Sequence, residues 1–583
     1  MIQGVAVSPG VAVARAYCLN QALARREPIH ISPEALSAEV TRFDAACAAA
    51  ARELDGIARR VTQQVGEDEA AIFRAHQLLL RDPAFVGKVR TAVMEKHIDA
   101  AAAVQQIVEE YKALFSHITD KYIQERIADL RDVGARILTE LARQDNRPLL
   151  DVTEPVILTA PEILPSQALN FDRKLVAGIL TERGAATGHA AILARSLNIP
   201  AVSGLEGLTH QVKTGDLIAL DGREGHVHIN PGPEVVAAYR KLQREYVDLV
   251  GRLIGNAELP AVSACGIPVE LLANVNGVND AAMAGKVGAA GVGLYRTEYL
   301  FLAHPSVPDE EEQFQAYRSV IASAPQRTVT IRTIDLGADK AVPYFGREGE
   351  ANPFMGFRSI RLSYAYPEFF RTQMRAILRA AVEGKVELLF PMVSTLEEVR
   401  DIRRMVEATR TELRRSGTRF SEDVPLGVMI EVPAAALCID EIVREVDFVS
   451  IGSNDLVQYL MAADRDNPKV AHLCEPFSPA LLRLLNHVIR ACHTHGKPVT
   501  LCGEMAGRAR CVLPLFGMGL RRVSMSPAFV PSIRELVRHT TLEAAKEAAH
   551  AVLHMATVHE VRTYLTAKVR EIWPEMRLLD VRE

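Results

Sequence analysis

His189 stands in Gly184-Ala-Ala-Thr-Gly-His-Ala-Ala-Ile-Leu-Ala-Arg, with small residues before it and a helix-forming run after it. That spacing places an imidazole on a turn at a helix start with little steric cover. A neutral, exposed imidazole is a competent nitrogen nucleophile. Most of the 17 histidines should be helix-capping or solvated side chains, and this reading stays open for His189 too. A second group lies further along. Arg296 (Gly-Leu-Tyr-Arg-Thr-Glu), Arg332 (Ile-Arg-Thr-Ile-Asp), Arg358 (Gly-Phe-Arg-Ser-Ile-Arg) and Arg465 (Ala-Asp-Arg-Asp-Asn) follow apolar segments or glycine turns. Forked guanidinium donors suit carboxylate and phosphate together. Each arginine could instead pair with a neighbouring acid such as Glu298 or Asp335, so the case for an anion site is a joint one.

Glu431 (Met-Ile-Glu-Val-Pro) and Asp455 (Gly-Ser-Asn-Asp-Leu) would bring two carboxylates to adjacent strands. Hard oxygen donors with room for water and substrate oxygens describe Mg2+ better than zinc. The alternative is a carboxylate pair that answers the arginines. A dication bridging substrate oxygens would withdraw charge as an enolate forms. Cys502, in Val-Thr-Leu-Cys-Gly-Glu, is either an inert core thiol or, with an ordinary pKa near ~8.5, a proton donor to an enolate carbon.

These side chains converge only if a particular architecture carries them. From about residue 260 short apolar strands alternate with longer helical stretches, at roughly 268–274, 291–296, 328–334, 386–392, 426–431, 447–452, 498–503 and 521–526. Eight such strands match a closed (β/α)8 barrel, and the polar residues fall at strand C-termini, where barrel chemistry resides. Upstream, residues 1–20 read as strand-turn-strand around Ser8-Pro9-Gly10. From Ser32-Pro33-Glu34, an N-cap with a proline in the first turn, helical stripes run to about 145. Short apolar runs resume near Asp151, which suggests that residues 1–20 return to a mixed α/β domain and that the helices are an insertion. Pro231-Gly-Pro opens a charged connector helix.

The 583 residues are 48% hydrophobic, with a formal net charge of -5, and are expected to form several soluble domains without a basic field for nucleic acid. The eight cysteines lack paired or zinc-like spacing, which points to reduced thiols and a cytoplasmic protein. No segment reads as a leader or a membrane span.

The signatures Gly184–Val202, Gly293-Leu-Tyr-Arg-Thr-Glu, Ile451-Gly-Ser-Asn-Asp-Leu and Leu501-Cys-Gly-Glu resemble those of Enzyme I of the bacterial sugar phosphotransferase system, the phosphoenolpyruvate-protein phosphotransferases. The resemblance covers essentially the whole chain. It implies a multidomain α/β protein: a swivelling phosphohistidine domain (1–20 and 146–230), an inserted helical unit that docks the phosphocarrier HPr (21–145), a linker helix (231–259), and a (β/α)8 TIM barrel that binds phosphoenolpyruvate and forms a homodimer (260–583). By the same resemblance His189 takes the phosphoryl group. Arg296, Arg332, Asn454 and Arg465 hold phosphoenolpyruvate, with Arg358 nearby; Glu431 and Asp455 bind Mg2+, Asp455 also lying against substrate; Cys502 protonates the pyruvate enolate. Glu67, Asp68, Ile72, His76 and Leu79 share a helix face or its start and are candidate HPr contacts, although a packing stripe would look similar.

The chain departs from the family's commonest Gly-Gly-Arg-Thr-Ser-His pattern at Ala185, Ala186, Gly188 and Ala190. Its Thr-Gly-His-Ala-Ala is closer to the dikinases and synthases that use phosphoenolpyruvate. Ala168 stands where a threonine hydroxyl would steady the imidazole. An ATP-charged dikinase reading finds no room for a nucleotide domain; a regulatory phosphoprotein of the nitrogen branch would be expected to carry a sensor domain, and none is read in this sequence; a barrel lyase or aldolase acting on pyruvate would leave His189 and the helical docking block without a task.

Overall fold

The computed structural model describes all residues except 19–27, 65–78, 81, 116–129, 131, 132, 135, 139, 142–153, 162–174, 183–193, 195–198, 303–306, 337–351, 466, 468 and 580–583. His189, Glu67, Asp68, Ile72 and His76 therefore lie outside the described residues, as do Ala168, Ala185, Ala186, Gly188 and Ala190. The chain forms two compact units, Met1–Leu249 with Arg577–Glu583, and Val250–Met576. Among the described residues no helix is long and apolar enough to cross a membrane.

In the first unit, β1 (Ile2–Gln3), β2 (Val5–Ser8) and β3 (Val11–Cys18) join β4 (Val156–Ala160), β5 (Val176–Thr181), β6 (Ala201–Ser203), β7 (Leu217–Asp221) and β8 (His226–Ile229). The strand order is β1-β8-β7-β3-β4-β5-β6-β2. The N-terminal segment thus supplies strands to a sheet completed more than a hundred residues later, with β3 parallel to β4 and antiparallel to β7. Between β3 and β4 the helices Leu36–Gln64, Pro83–Lys96 and Ala100–Phe115 build their own core around Phe43, Leu54, Phe85, Val89 and Val104. Leu79 packs against this core. The first helix starts at Leu36, later than Ser32-Pro33 suggests, because Ala35 N closes a turn on Ser32 O before the helix begins.

The second unit is a closed parallel barrel: β9 (Glu270–Val275), β10 (Val292–Arg296), β11 (Thr328–Arg332), β12 (Lys385–Phe390), β13 (Leu426–Ile430), β14 (Phe448–Ile451), β15 (Val499–Leu501) and β16 (Arg522–Met525), with β16 pairing back onto β9. Strands covered on both faces need near-continuous apolar runs, and Leu-Leu-Phe of β12 and Phe-Val-Ser-Ile of β14 are buried throughout. The surrounding helices start sharply. Asp309 with Glu312, Thr395 with Glu398 and Thr557 with Glu560 are reciprocal capping boxes, each contributing about 1 kcal/mol.

Candidate active site

The side chains that end the barrel strands meet at the C-terminal mouth. Arg332, the last residue of β11, is buried and pairs through Nη2 with Glu298 and through Nη1 with Asp335 at 3.0 Å. Its position is braced from behind. Thr297 Oγ1 donates to Arg332 O at 2.9 Å, and Gln373 donates to Thr297 Oγ1 at 3.2 Å while accepting from Ile334 N at 3.0 Å. Asp335 also accepts from Arg358 Nη2 at 2.8 Å and from the Ser359 hydroxyl. Arg358 Nη1 donates to Tyr459 Oη at 3.1 Å, and that hydroxyl donates to Phe354 O at 2.6 Å. Burial works against both guanidinium cations, yet Glu298 and Asp335 around Arg332, and Asp335 and Asp455 around Arg358, hold their pKa above the ordinary range. Both remain cations.

Glu431 follows β13 and is 1% exposed. Its Oε1 accepts from Met392 N at 2.7 Å; its Oε2 is buried without a hydrogen-bond partner. Asp455, in the helix Ser453–Met461 after β14, has Oδ1 at 3.9 Å from Arg358 and 3.8 Å from Arg465, and that oxygen too has no hydrogen-bond partner. Burial first, then the charges of Asp455 and Asp335, push the Glu431 carboxyl up to about 8, against the pull of Arg332 and Arg358. A Cβ on Gly452 would lie 2.7 Å from Glu431 Oε2, so only glycine lets the carboxylate sit against the start of the Asp455 helix. Asn454, half-buried in the first turn of the same helix, accepts from Glu504 N at 2.9 Å and ties that helix to the turn after β15.

Cys502 follows β15 and is 2% exposed. Its thiol donates to Ile451 O at 3.3 Å and packs with Leu294, Leu389, Met429 and Phe448. Burial raises its pKa to about 11, although Ser450, Arg332 and the half-buried Arg296 favour the thiolate. The thiol is a proton carrier at neutral pH. A Cβ on Gly503 would fall 1.8 Å from Ser453 Oγ, so the loop after Cys502 requires glycine to approach the Asp455 helix.

Arg296 and Arg332 end strands, Glu431 and Cys502 directly follow them, and Arg358, Asn454, Asp455 and Arg465 lie on the segments after β11 and β14 of the same barrel. The structural readings that the sequence left open are present: Arg332 pairs with Glu298 and Asp335, Arg358 pairs with Asp335, and Cys502 is a core thiol. What those readings leave over are the orphaned oxygens. The Glu431 and Asp455 oxygens among them, buried without hydrogen-bond partners and carried on segments that follow adjacent strands, fit a hard divalent cation, which relieves their mutual repulsion. No group of three or more His, Cys, Asp or Glu among the described residues could hold a metal. A two-carboxylate set suits Mg2+, which keeps water and substrate oxygens in its shell, and does not suit structural zinc. Sequence reading missed Tyr459, Ser359, Gln373 and Asn274. Asn274 donates to Cys502 O at 2.8 Å and accepts from Ser524 Oγ at 2.6 Å. A polar residue near the C-terminal end of an apolar strand, the signal that exposed Arg296 and Arg332, also marks Asn274.

A barrel with cations, a carboxylate pair and a proton-bearing thiol at its mouth agrees with the matches to known families. The chain matches "PEP-utilising enzyme, N-terminal" over residues 3–126, "PEP-utilising enzyme, mobile domain" over 152–225 and "PEP-utilising enzyme, PEP-binding domain" over 253–542. It is 40% identical over 565 residues to the phosphoenolpyruvate-protein phosphotransferase of Bacillus sp. (strain S), covering 97% of each chain. It is 39% identical over 565 residues to that of Geobacillus stearothermophilus, again covering 97% of each. An NMR structure of an Enzyme I protein is 33% identical and covers 42% of this chain and 99% of its own, with a TM-score of 0.32. The chain belongs to the phosphoenolpyruvate-protein phosphotransferase family.

Proposed function

We propose that this protein transfers the phosphoryl group of phosphoenolpyruvate to its own His189 and then to the phosphocarrier HPr, releasing pyruvate, as the first step of a sugar phosphotransferase system. The observation that carries the reading is the mouth itself: paired arginines, two orphaned carboxylate oxygens and a buried, protonated thiol on neighbouring strand ends. Arg296, Arg332, Asn454 and Arg465 hold the phosphate and carboxylate of the substrate, with Arg358 beside them and Asp455 against it. Glu431 and Asp455 hold Mg2+, which when bound supplies positive charge where the enolate develops.

A nitrogen of His189 attacks phosphorus; the N–P bond forms as the bond from phosphorus to the enol oxygen breaks. The enolate carbon then takes the Cys502 proton, giving pyruvate, and the thiolate regains a proton from solvent. Residues 1–20 and 146–230 are assigned to the phosphohistidine domain, 21–145 to HPr docking with Glu67, Asp68, Ile72, His76 and Leu79 as contacts, 231–259 to the linker and 260–583 to the barrel. A homodimer through the barrel is part of the same proposal, as is a cytoplasmic location, supported by eight free cysteines. Labelled phosphoenolpyruvate with Mg2+ should leave an acid-labile, base-stable label on the native chain, none on His189→Ala, and the label should pass to added HPr. A native chain that stays unlabelled overturns the proposal.

A further inference from the structure

The helix Leu542–His554, on the outside of the barrel unit, carries two exposed histidines one turn apart, His550 and His554. Residues i and i+4 share a helix face. The ring centres are 4.4 Å apart with planes inclined at 36°. His554 Nδ1 lies 2.7 Å from His550 O. A carbonyl oxygen only accepts, so Nδ1 carries the proton and Nε2 keeps its lone pair. Ligating imidazoles are ordinarily held this way, the second nitrogen donating to a backbone carbonyl. We propose that His550 and His554 form a two-imidazole site for a divalent transition cation of tetragonal preference, Cu(II) or Ni(II), with water in its remaining positions.

The ring spacing bears on the coordination geometry. A metal about 2.0–2.1 Å from each ligating nitrogen puts the two ring centres roughly 4.5 Å apart at a right-angle bite, and about 5.2 Å apart at the tetrahedral angle. The observed separation matches the right angle of square-planar and octahedral ions and falls short of tetrahedral zinc. Mg2+ is excluded by donor type, since it prefers oxygen. Glu547, which shares the helix face with His550, is engaged by Lys568 at 3.0 Å, so solvent rather than a third side chain completes the shell. His554 ends the helix, and a metal bridging the pair would pin the last turn. The site shares no residue with the mouth and does not depend on the phosphotransfer reading.

The test uses the full-length, tag-free chain stripped with a chelator, titrated calorimetrically with Ni(II) in excess Mg2+. The native chain should show a saturable site whose affinity falls by about tenfold or more in both His550→Asn and His554→Asn, while Mg2+-dependent self-phosphorylation is unchanged. Bound Cu(II) should give an axial paramagnetic resonance spectrum with two equatorial nitrogens, and one in each variant. Unchanged Ni(II) affinity in either variant, displacement by Mg2+, or a tetrahedrally distorted Cu(II) spectrum would each refute the site. Glutamine variants at the same positions serve if an asparagine lowers the melting temperature.

Discussion

The barrel carries a cluster of arginine and carboxylate toward each end, and the two are finished differently. Toward the strand N-termini, Arg522 pairs with Glu270 at 2.7 Å and reaches Glu387 at 3.4 Å, while Thr330 donates to the other Glu387 oxygen at 2.7 Å. No buried side-chain atom of these four residues lacks a partner. At the mouth, Glu298 Oε2, Glu431 Oε2, Asp455 Oδ1 and Arg332 Nε are all buried without hydrogen-bond partners. A buried polar group left unpaired costs about 1–3 kcal/mol, more when charged. The floor is a completed network, and the mouth keeps open bonds that a ligand can close. Ion pairs alone therefore do not mark the site; unfinished ones do.

The sharpest way to break this comparison is to remove the central arginine of each cluster. Arg332→Met should lower kcat/KM for self-phosphorylation by phosphoenolpyruvate by about 10²–10³, the scale of losing one preorganised donor to a reacting phosphoryl group. Arg522→Met should leave that rate near native and instead lower the unfolding free energy, read from urea titration, by roughly 1–2 kcal/mol, because its partners are partly hydrated. Equal kinetic losses in both would mean that the two ends are not functionally distinct.

A second contrast concerns charge. The Glu431 carboxyl, pushed up to about 8 chiefly by burial, binds its proton more tightly in the folded protein than in the unfolded chain. Such a group contributes stability below the ordinary glutamate range, and that contribution is lost as pH rises through about 8. The metal-free protein should therefore lose thermal stability over that window. Mg2+ should restore it, and Glu431→Gln should abolish both the pH slope and the Mg2+ response. A slope that survives in Glu431→Gln assigns the titration elsewhere. No such metal response is expected at the floor, where Arg522 already answers Glu387.

Much of the mouth was legible in sequence because parallel barrel strands are apolar runs, so a charge where a run stops is conspicuous. Arg296 and Arg332 end β10 and β11, and Glu431 and Cys502 directly follow β13 and β15. The supports were not legible, for physical reasons. Asn274 reaches Cys502 because β9 closes against β16, a contact set by closure rather than by local pattern. Met392 holds Glu431 through a backbone N–H, a donor with no residue-type signature, at a φ of 57° that a bulky side chain seldom adopts. Tyr459 and Gln373 sit on helices whose apolar stripes conceal a polar residue turned inward. Sequence could suggest that Arg332 or Arg358 met acids; it could not say that some of those acids would be left with a free, buried oxygen.

The finest test uses the neutral hydroxyl that each cluster contains. Tyr459 Oη links Arg358 to Phe354 O at the mouth, and Thr330 Oγ1 steadies Glu387 at the floor. Each bond carries about 1 kcal/mol. Tyr459→Phe leaves Arg358 its pairing with Asp335 but frees the Pro353–Met355 turn, so the expected result is a rise of roughly fivefold in KM for phosphoenolpyruvate with kcat little changed. Thr330→Val removes a bond of similar strength from a finished network, so the same energy should appear as lost stability, with KM and kcat both native. A KM change in Thr330→Val, or none in Tyr459→Phe, would mean that polar order at the two ends is coupled through the barrel interior, and that the floor takes part in holding substrate.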